Sequence, residues 1–198
     1  MPKVVDYEQR KKEITFKALE MFSKKGYNQV NLLEIAKSCG MTRTAIYRYY
    51  KDKGEIFISA IKFFLDQTLD TMEKIASKEN VTVIDRIFYI FKALYEGCRT
   101  NRYSSYLLFD LWLHSSIENN IPVQNIKNDY TKRMYKIFED LLEKGKNKEV
   151  IKDFEIKSMA TALFSLLGSY LMQSVLYKYV DSEDIFKSIK ILLSGLQS

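Results

Sequence analysis

Apolar residues recur three and four positions apart through almost every long stretch of this chain, the spacing of a helix with one buried face. Ile14, Ala18, Met21 and Phe22 line such a face on a first helix, which Gly26 can end in a left-handed conformation. Asn31 stands three residues before Glu34, so its side chain can accept from the first unpaired N–H groups while Glu34 reaches back. Gly40 stops that second helix early. Thr42 can cap a third, running to about Tyr50. Asp52-Lys53-Gly54-Glu55 repeats the capping spacing, and Ile56, Phe57, Ala60, Ile61, Phe64 and Leu65 carry a long fourth helix to about Ala76.

The same period predicts further helices at roughly 83–100, 103–115, 122–145, 154–179 and 183–195. Pro122 suits the first turn of its helix. Gly145 with the charged run Lys146–Glu149 reads as a turn, and Asp153 and Ser182 read as caps. No internal repeat and no sustained two-residue alternation is present, so the fold class is all-α, with about nine helices. Ser158–Tyr177 carries no charge and is long enough to span a bilayer. Ser158, Thr161, Ser165, Ser169 and Gln173 nevertheless make one stripe of it polar, opposite Leu163, Phe164, Leu167, Leu171 and Val175. A core or interface helix fits that pattern better than a membrane span, and no membrane association is expected.

Composition sharpens this picture. Two prolines and seven glycines among 198 residues are too few for the frequent turns of a sandwich or barrel. Residues 1–60 hold 12 Lys/Arg against 7 Asp/Glu, and the remainder holds 19 against 18. Nearly all of the net +6 therefore sits in the first third, the asymmetry of a small nucleic-acid-binding module joined to a neutral body. Cys39 and Cys98 lack both metal-ligand spacing and a disulfide framework, and the polar start MPKVVDYEQRKK carries no apolar leader. A cytoplasmic location follows as the expectation.

Ala36, Gly40 and Ile46 meet the demands of a helix-turn-helix. A small residue allows close approach, glycine makes the turn, and isoleucine packs the second helix onto the first. In such units the second helix enters the major groove. Its outward residues Arg43, Thr44, Tyr47 and Arg48 have the chemistry for bases and phosphates. The surrounding segment, from Ala18/Phe22 and Gly26-Tyr27 through Ile35-Ala36, Gly40-Met41 and Ile46-Tyr47 to the Tyr47-Arg48-Tyr49-Tyr50-x-x-Lys53 run, resembles the DNA-binding domain of the TetR family of transcriptional regulators over about residues 8–65. Asn31 stands where Ser or Thr is usual, Tyr50 replaces a customary Phe, and Gly54 sits where Glu is common. Asn still caps, Tyr still fills an aromatic position, and Gly54 costs about 1 kcal/mol at most.

The resemblance implies a homodimer with two helix-turn-helix heads on double-stranded operator DNA and a helical body that binds a small-molecule effector. Residues 1–52 would form the head and 53–198 the effector and dimer body, with helix 53–76 as connector. By analogy Thr42, Tyr47 and Lys53 hold phosphates, Arg43, Thr44 and Arg48 reach base edges, and Asn31 belongs to the same surface. The last two helices would pair the chains through Leu163, Leu167, Gly168, Leu171, Val175, Ile189, Leu192 and Leu193. The expected function is a repressor released by a largely apolar or aromatic effector. The alternative is a DNA-binding or interaction protein of the same fold with a filled core and no effector.

Residues 83–145 hold the aromatic supply for an effector pocket, with Tyr95, Tyr103, Tyr106, Asp110, His114 and Phe138 as candidate contacts. Tyr106, Asp110 and His114 share a face at four-residue steps. Asp110 and the single histidine lack further ligands for a metal, so neither metal nor other cofactor is expected. Without a phosphate-cradling glycine loop, a Cys/His pair or zinc spacing, the chain offers no catalytic constellation and is expected not to be an enzyme.

Overall fold

A computed structural model describes residues 7–100, 105, 121–176 and 181–198. Among these residues the chain folds into eight helices: α1 (Tyr7–Lys25), α2 (Leu32–Ser38), α3 (Arg43–Ile46), α4 (Lys53–Ala76), α5 (Val83–Thr100), α6 (Ile121–Asn147), α7 (Ile156–Leu176) and α8 (Ser182–Ser194). Apart from Ser105, which is helical, the helix expected at 103–115 lies outside the described residues, as do the last residues of the one expected at 154–179.

Two compact units make up the described chain, one reaching to Asp66 and joined by Ser105 and Val123, the other built from the rest. Helix α4 contributes its first part to one unit and its last turns to the other. In the N-terminal unit α1 buries Ile14, Ala18, Leu19 and Phe22, the periodic face of the sequence. Phe22 meets Phe57 edge-on at 5.1 Å, and Tyr27 closes the cluster at 4.6 Å from Phe57. Each such ring or aliphatic side chain, when fully buried, stabilises by about 1.5–3 kcal/mol. In the second unit α5 packs against α7 and α8. Phe91 lies 6.1 Å from Phe138 and 6.2 Å from Tyr170, and Tyr95 lies 5.5 Å from Phe186. Arg86 is buried; its guanidinium donates to the carbonyls of Val81, Ala76 and Glu79, holding the end of α4 to the loop that follows.

The structure differs from the pattern-based reading at four places. Helix α3 ends at Ile46 rather than near Tyr50, because the chain tightens: Arg48 and Tyr49 donate three residues back, to Ala45 and Ile46. Gly145 is no turn. It sits inside α6, and a Cβ there would lie 3.1 Å from Ile151 Cδ1, so the glycine admits Ile151 against the helix. The turn falls within the expected charged run, at Lys148 and Glu149, the latter with φ 55°. Asp153 does not cap α7 but pairs with Lys146 at 2.5 Å. The segment before α7 is drawn out by a bridge of Ile151 with Gln197 and by Lys152 N–H donating to Leu196, which delays the helix to Ile156. The cap of α8 is Asp181, not Ser182: its carboxylate accepts from Glu183 N–H at 2.9 Å.

Candidate nucleic-acid interface

The helix-turn-helix is assembled from local caps. Asn31 Oδ1 accepts from Glu34 N–H at 3.0 Å while Glu34 Oε2 accepts from Asn31 N–H at 3.1 Å, completing the capping box on α2. Lys25 sits 2.8 Å from the same carboxylate and, with the Asn31 N–H, holds Glu34 below the usual range. At the other end Gly40 takes φ 64°, its N–H bonds Lys37 O at 3.0 Å, and Met41 N–H reaches Ala36 O at 2.9 Å. This pair of bonds requires a left-handed residue between them, which glycine accepts without a Cβ penalty. Thr42 Oγ1 then accepts from Ala45 N–H at 3.2 Å and starts α3.

Helix α3 and its tightened last turn present two faces. Ile46 and Tyr50 are buried, whereas Thr42, Arg43, Thr44, Tyr47 and Arg48 are exposed together. Asn31 is exposed as well, with its side-chain oxygen engaged in the cap. Lys53 is placed differently. Its ammonium lies 4.2 Å from the centre of the Tyr27 ring and donates to the carbonyls of Tyr27 and Val30, both at 3.0 Å. Lys53 thus ties the loop before α2 to the start of α4, and of its three N–H donors one remains for a phosphate. Asp52 Oδ1 accepts from Glu55 N–H at 2.8 Å, while Glu55 reaches one residue further back than a capping box requires, to Lys51 N–H at 2.6 Å.

Helix α1 braces this surface with contacts that local pattern does not reveal. Arg10 donates to Cys39 O at 2.9 Å, Lys17 to Ser38 O at 2.7 Å, and Tyr7 to Arg48 O at 3.1 Å. Glu13 lies between Lys17 and Arg10, which hold its carboxyl below the usual range. Cys39 ends α2 inside this brace, and burial pushes its thiol up. The partners are separated by 21 to 41 residues, so the only signal available in the sequence was the polarity of the side chains themselves.

In the second unit Tyr95 and Phe138 are buried among aromatic rings, while Tyr103, Tyr106, Asp110 and His114 lie outside the described residues. Among the described residues no group of three His, Cys, Asp or Glu side chains is disposed to hold a metal ion. Leu163, Leu167, Val175, Ile189 and Leu193 are buried within the single chain; Gly168 and Leu171 are half-buried, and Leu192 is exposed. Among the described residues of α7 and α8, the exposed large apolar side chains are Met172, Leu176, Ile191 and Leu192. An apolar cleft of about 160 Å3 runs between α7 and α8, lined by Phe91, Met159, Leu166, Tyr170 and Leu196 and, of those four exposed residues, by Leu192. Helix α7 is long and apolar enough to cross a membrane, yet Ser158, Thr161, Ser165 and Ser169 keep part of its exposed face polar.

Residues 14–60 match the family model for bacterial regulatory proteins of the tetR family. The helix-turn-helix transcriptional regulator YuxN of Bacillus subtilis is 33% identical over 70 residues, covering 35% of this chain and 24% of that protein. The matched stretch thus spans about a quarter of that relative's length. The fatty acid metabolism regulator protein of the same organism is 22% identical over 91% of this chain and 92% of its own. A TetR-family regulator from Mesorhizobium loti superimposes with a TM-score of 0.81 at 16% identity, over 96% of each chain. These relatives are transcriptional regulators, not enzymes.

Proposed function

We propose that this chain is a DNA-binding transcriptional regulator of the TetR family, a dimeric cytoplasmic repressor released from its operator by a small, largely apolar effector. The observation that carries the reading is the division of α3 and the turn after it into a buried face, Ile46 and Tyr50, and an exposed one bearing Arg43, Thr44, Tyr47 and Arg48. Arginines so placed can form paired hydrogen bonds to guanine edges, and Thr42, Tyr47 and the remaining N–H of Lys53 are suited to phosphates. Residues 1–52 are the DNA head, and 53–198 the effector and dimer body, with α4 as connector.

Selection of bound sequences from random duplex DNA tests this directly. The expected product is a near-palindrome whose half-sites lie about one helical turn, or a multiple of it, apart. On that sequence Arg43→Ala and Arg48→Ala should each lose about 1–3 kcal/mol and relax preference at a defined position. No enriched sequence, or unchanged affinity in both folded variants, overturns the reading.

The apolar effector is supported by the aromatic supply of the body and by the name of the relative matched along nearly the whole chain, a fatty acid metabolism regulator. An acyl chain is accordingly the first class to try. The cleft between α7 and α8 is lined by Leu163, Ile189, Leu192 and Leu193, four of the residues expected at the dimer surface, so we assign it to the partner chain rather than to the effector. Release requires that the effector bind the DNA-incompetent state better, and linkage then requires operator DNA to weaken effector binding by the same factor.

A further inference from the structure

Tyr7 opens α1 and is 48% exposed, yet both ends of its side chain are engaged at the end of the reading turn. Its ring stacks on Tyr49, centroids 4.9 Å apart with 22° between planes, and its hydroxyl donates to the Arg48 carbonyl at 3.1 Å. That carbonyl belongs to the turn after α3, where helix geometry leaves acceptors without backbone donors. The Arg48 side chain leaves from the Cα next to this carbonyl. A bond that orients the peptide therefore also orients the direction in which the guanidinium sets out.

The inference rests on the reading that α3 and its last turn face DNA. We infer that Tyr7 is a positioning residue for sequence recognition, fixing the backbone at Arg48 and Tyr49 so that Arg48 meets its base in one geometry. Two other roles for Tyr7 fit less well. A structural role is weak, because so exposed a ring contributes little burial, and the turn is already held from beneath by Ile46 and Tyr50, at 0% and 2% exposure. A phosphate contact conflicts with the chemistry: a tyrosine hydroxyl has one proton, here given to Arg48 O, and a phosphate oxygen in need of a donor gains nothing from it. What remains is direction. Bidentate pairing of a guanidinium with a base edge is strict in geometry, so a loosened carbonyl should cost discrimination more than attraction.

The test uses the full chain, the duplex selected by the wild-type protein, and a random duplex of equal length. Tyr7→Phe keeps the stack and removes the hydrogen bond, and Tyr7→Ala removes both. Tyr7→Phe should lower the ratio of specific to random affinity about 3–10-fold, the worth of one ordinary hydrogen bond. Tyr7→Ala should lower it further, with random-duplex affinity, salt dependence and melting temperature nearly unchanged. Because Tyr7 acts through Arg48, Tyr7→Ala should add little in an Arg48→Ala background. The inference is overturned if Arg48→Ala lowers the ratio and the Tyr7 variants do not. Equal weakening on both duplexes, or full additivity with Arg48→Ala, overturns it as well. If Arg43→Ala and Arg48→Ala both leave the ratio intact, the assignment of α3 as reader fails and takes this inference with it.

Discussion

Beneath the reading turn two hydroxyls are buried together. Thr15 donates to Lys11 O at 2.9 Å, and the Tyr50 hydroxyl stands 2.5 Å from Thr15 Oγ1, with Lys11 O a longer 3.4 Å away. Where the family customarily has Phe this chain has Tyr, and the added hydroxyl has found its acceptor on α1. The two substitutions that break the pair are not equivalent. Tyr50→Phe leaves Thr15 bonded to Lys11 and should cost no more than about 1 kcal/mol. Thr15→Val leaves the Tyr50 hydroxyl buried with only the long bond, and should cost about 1–3 kcal/mol. The double variant removes both polar groups and should be more stable than Thr15→Val alone. Urea denaturation of the four proteins checks this, and strict additivity would show that the two hydroxyls are not coupled.

At the scale of elements, what could be read from the sequence was what the chain does with its near neighbours. Asn31 and Glu34, Thr42 and Ala45, and Asp52 and Glu55 are three residues apart, so their caps are written in the spacing. Gly40 is legible for the same reason, since the bonds around it span only a turn. Asp153 and Gly145 were misread because their surroundings come from elsewhere: the C-terminal residues that draw out 151–152, and the Ile151 side chain laid on Gly145. Lys53 shows the limit most clearly. Its charge suggested a phosphate contact, but its carbonyl partners lie 23 and 26 residues back. Lys53→Met should keep the aliphatic stem on Tyr27 while losing both bonds, lowering stability by about 1–2 kcal/mol after discount for solvent exposure. Affinity should fall alike on selected and random duplexes, read by titration at fixed salt. A loss confined to the selected duplex would place Lys53 among the base-reading residues instead.

At the scale of the whole molecule, helical periodicity states that a face is apolar but not what covers it. Leu163, Leu167, Val175, Ile189 and Leu193 were expected at a dimer surface, and they are covered by this chain's own packing. Charging any of these would test folding rather than association. The discriminating positions are those left outside: Ile191 at 71% and Leu192 at 50% exposure, with Met172 and Leu176 near half. If a second chain covers the exposed apolar side chains of α8, Ile191→Asp with Leu192→Asp places charges where the partner's apolar side chains would lie, at little cost to the single chain. Dissociation should then become at least about tenfold easier, 1.4 kcal/mol or more. In sedimentation the species should shift toward 23.3 kDa with the helical circular dichroism retained. Operator affinity should fall with it, because one head reads only one half-site, while affinity for the effector per chain need not change. A wild-type protein that sediments as a monomer at micromolar concentration would remove the dimer from the proposal. A double variant that stays dimeric would place the contact on another face.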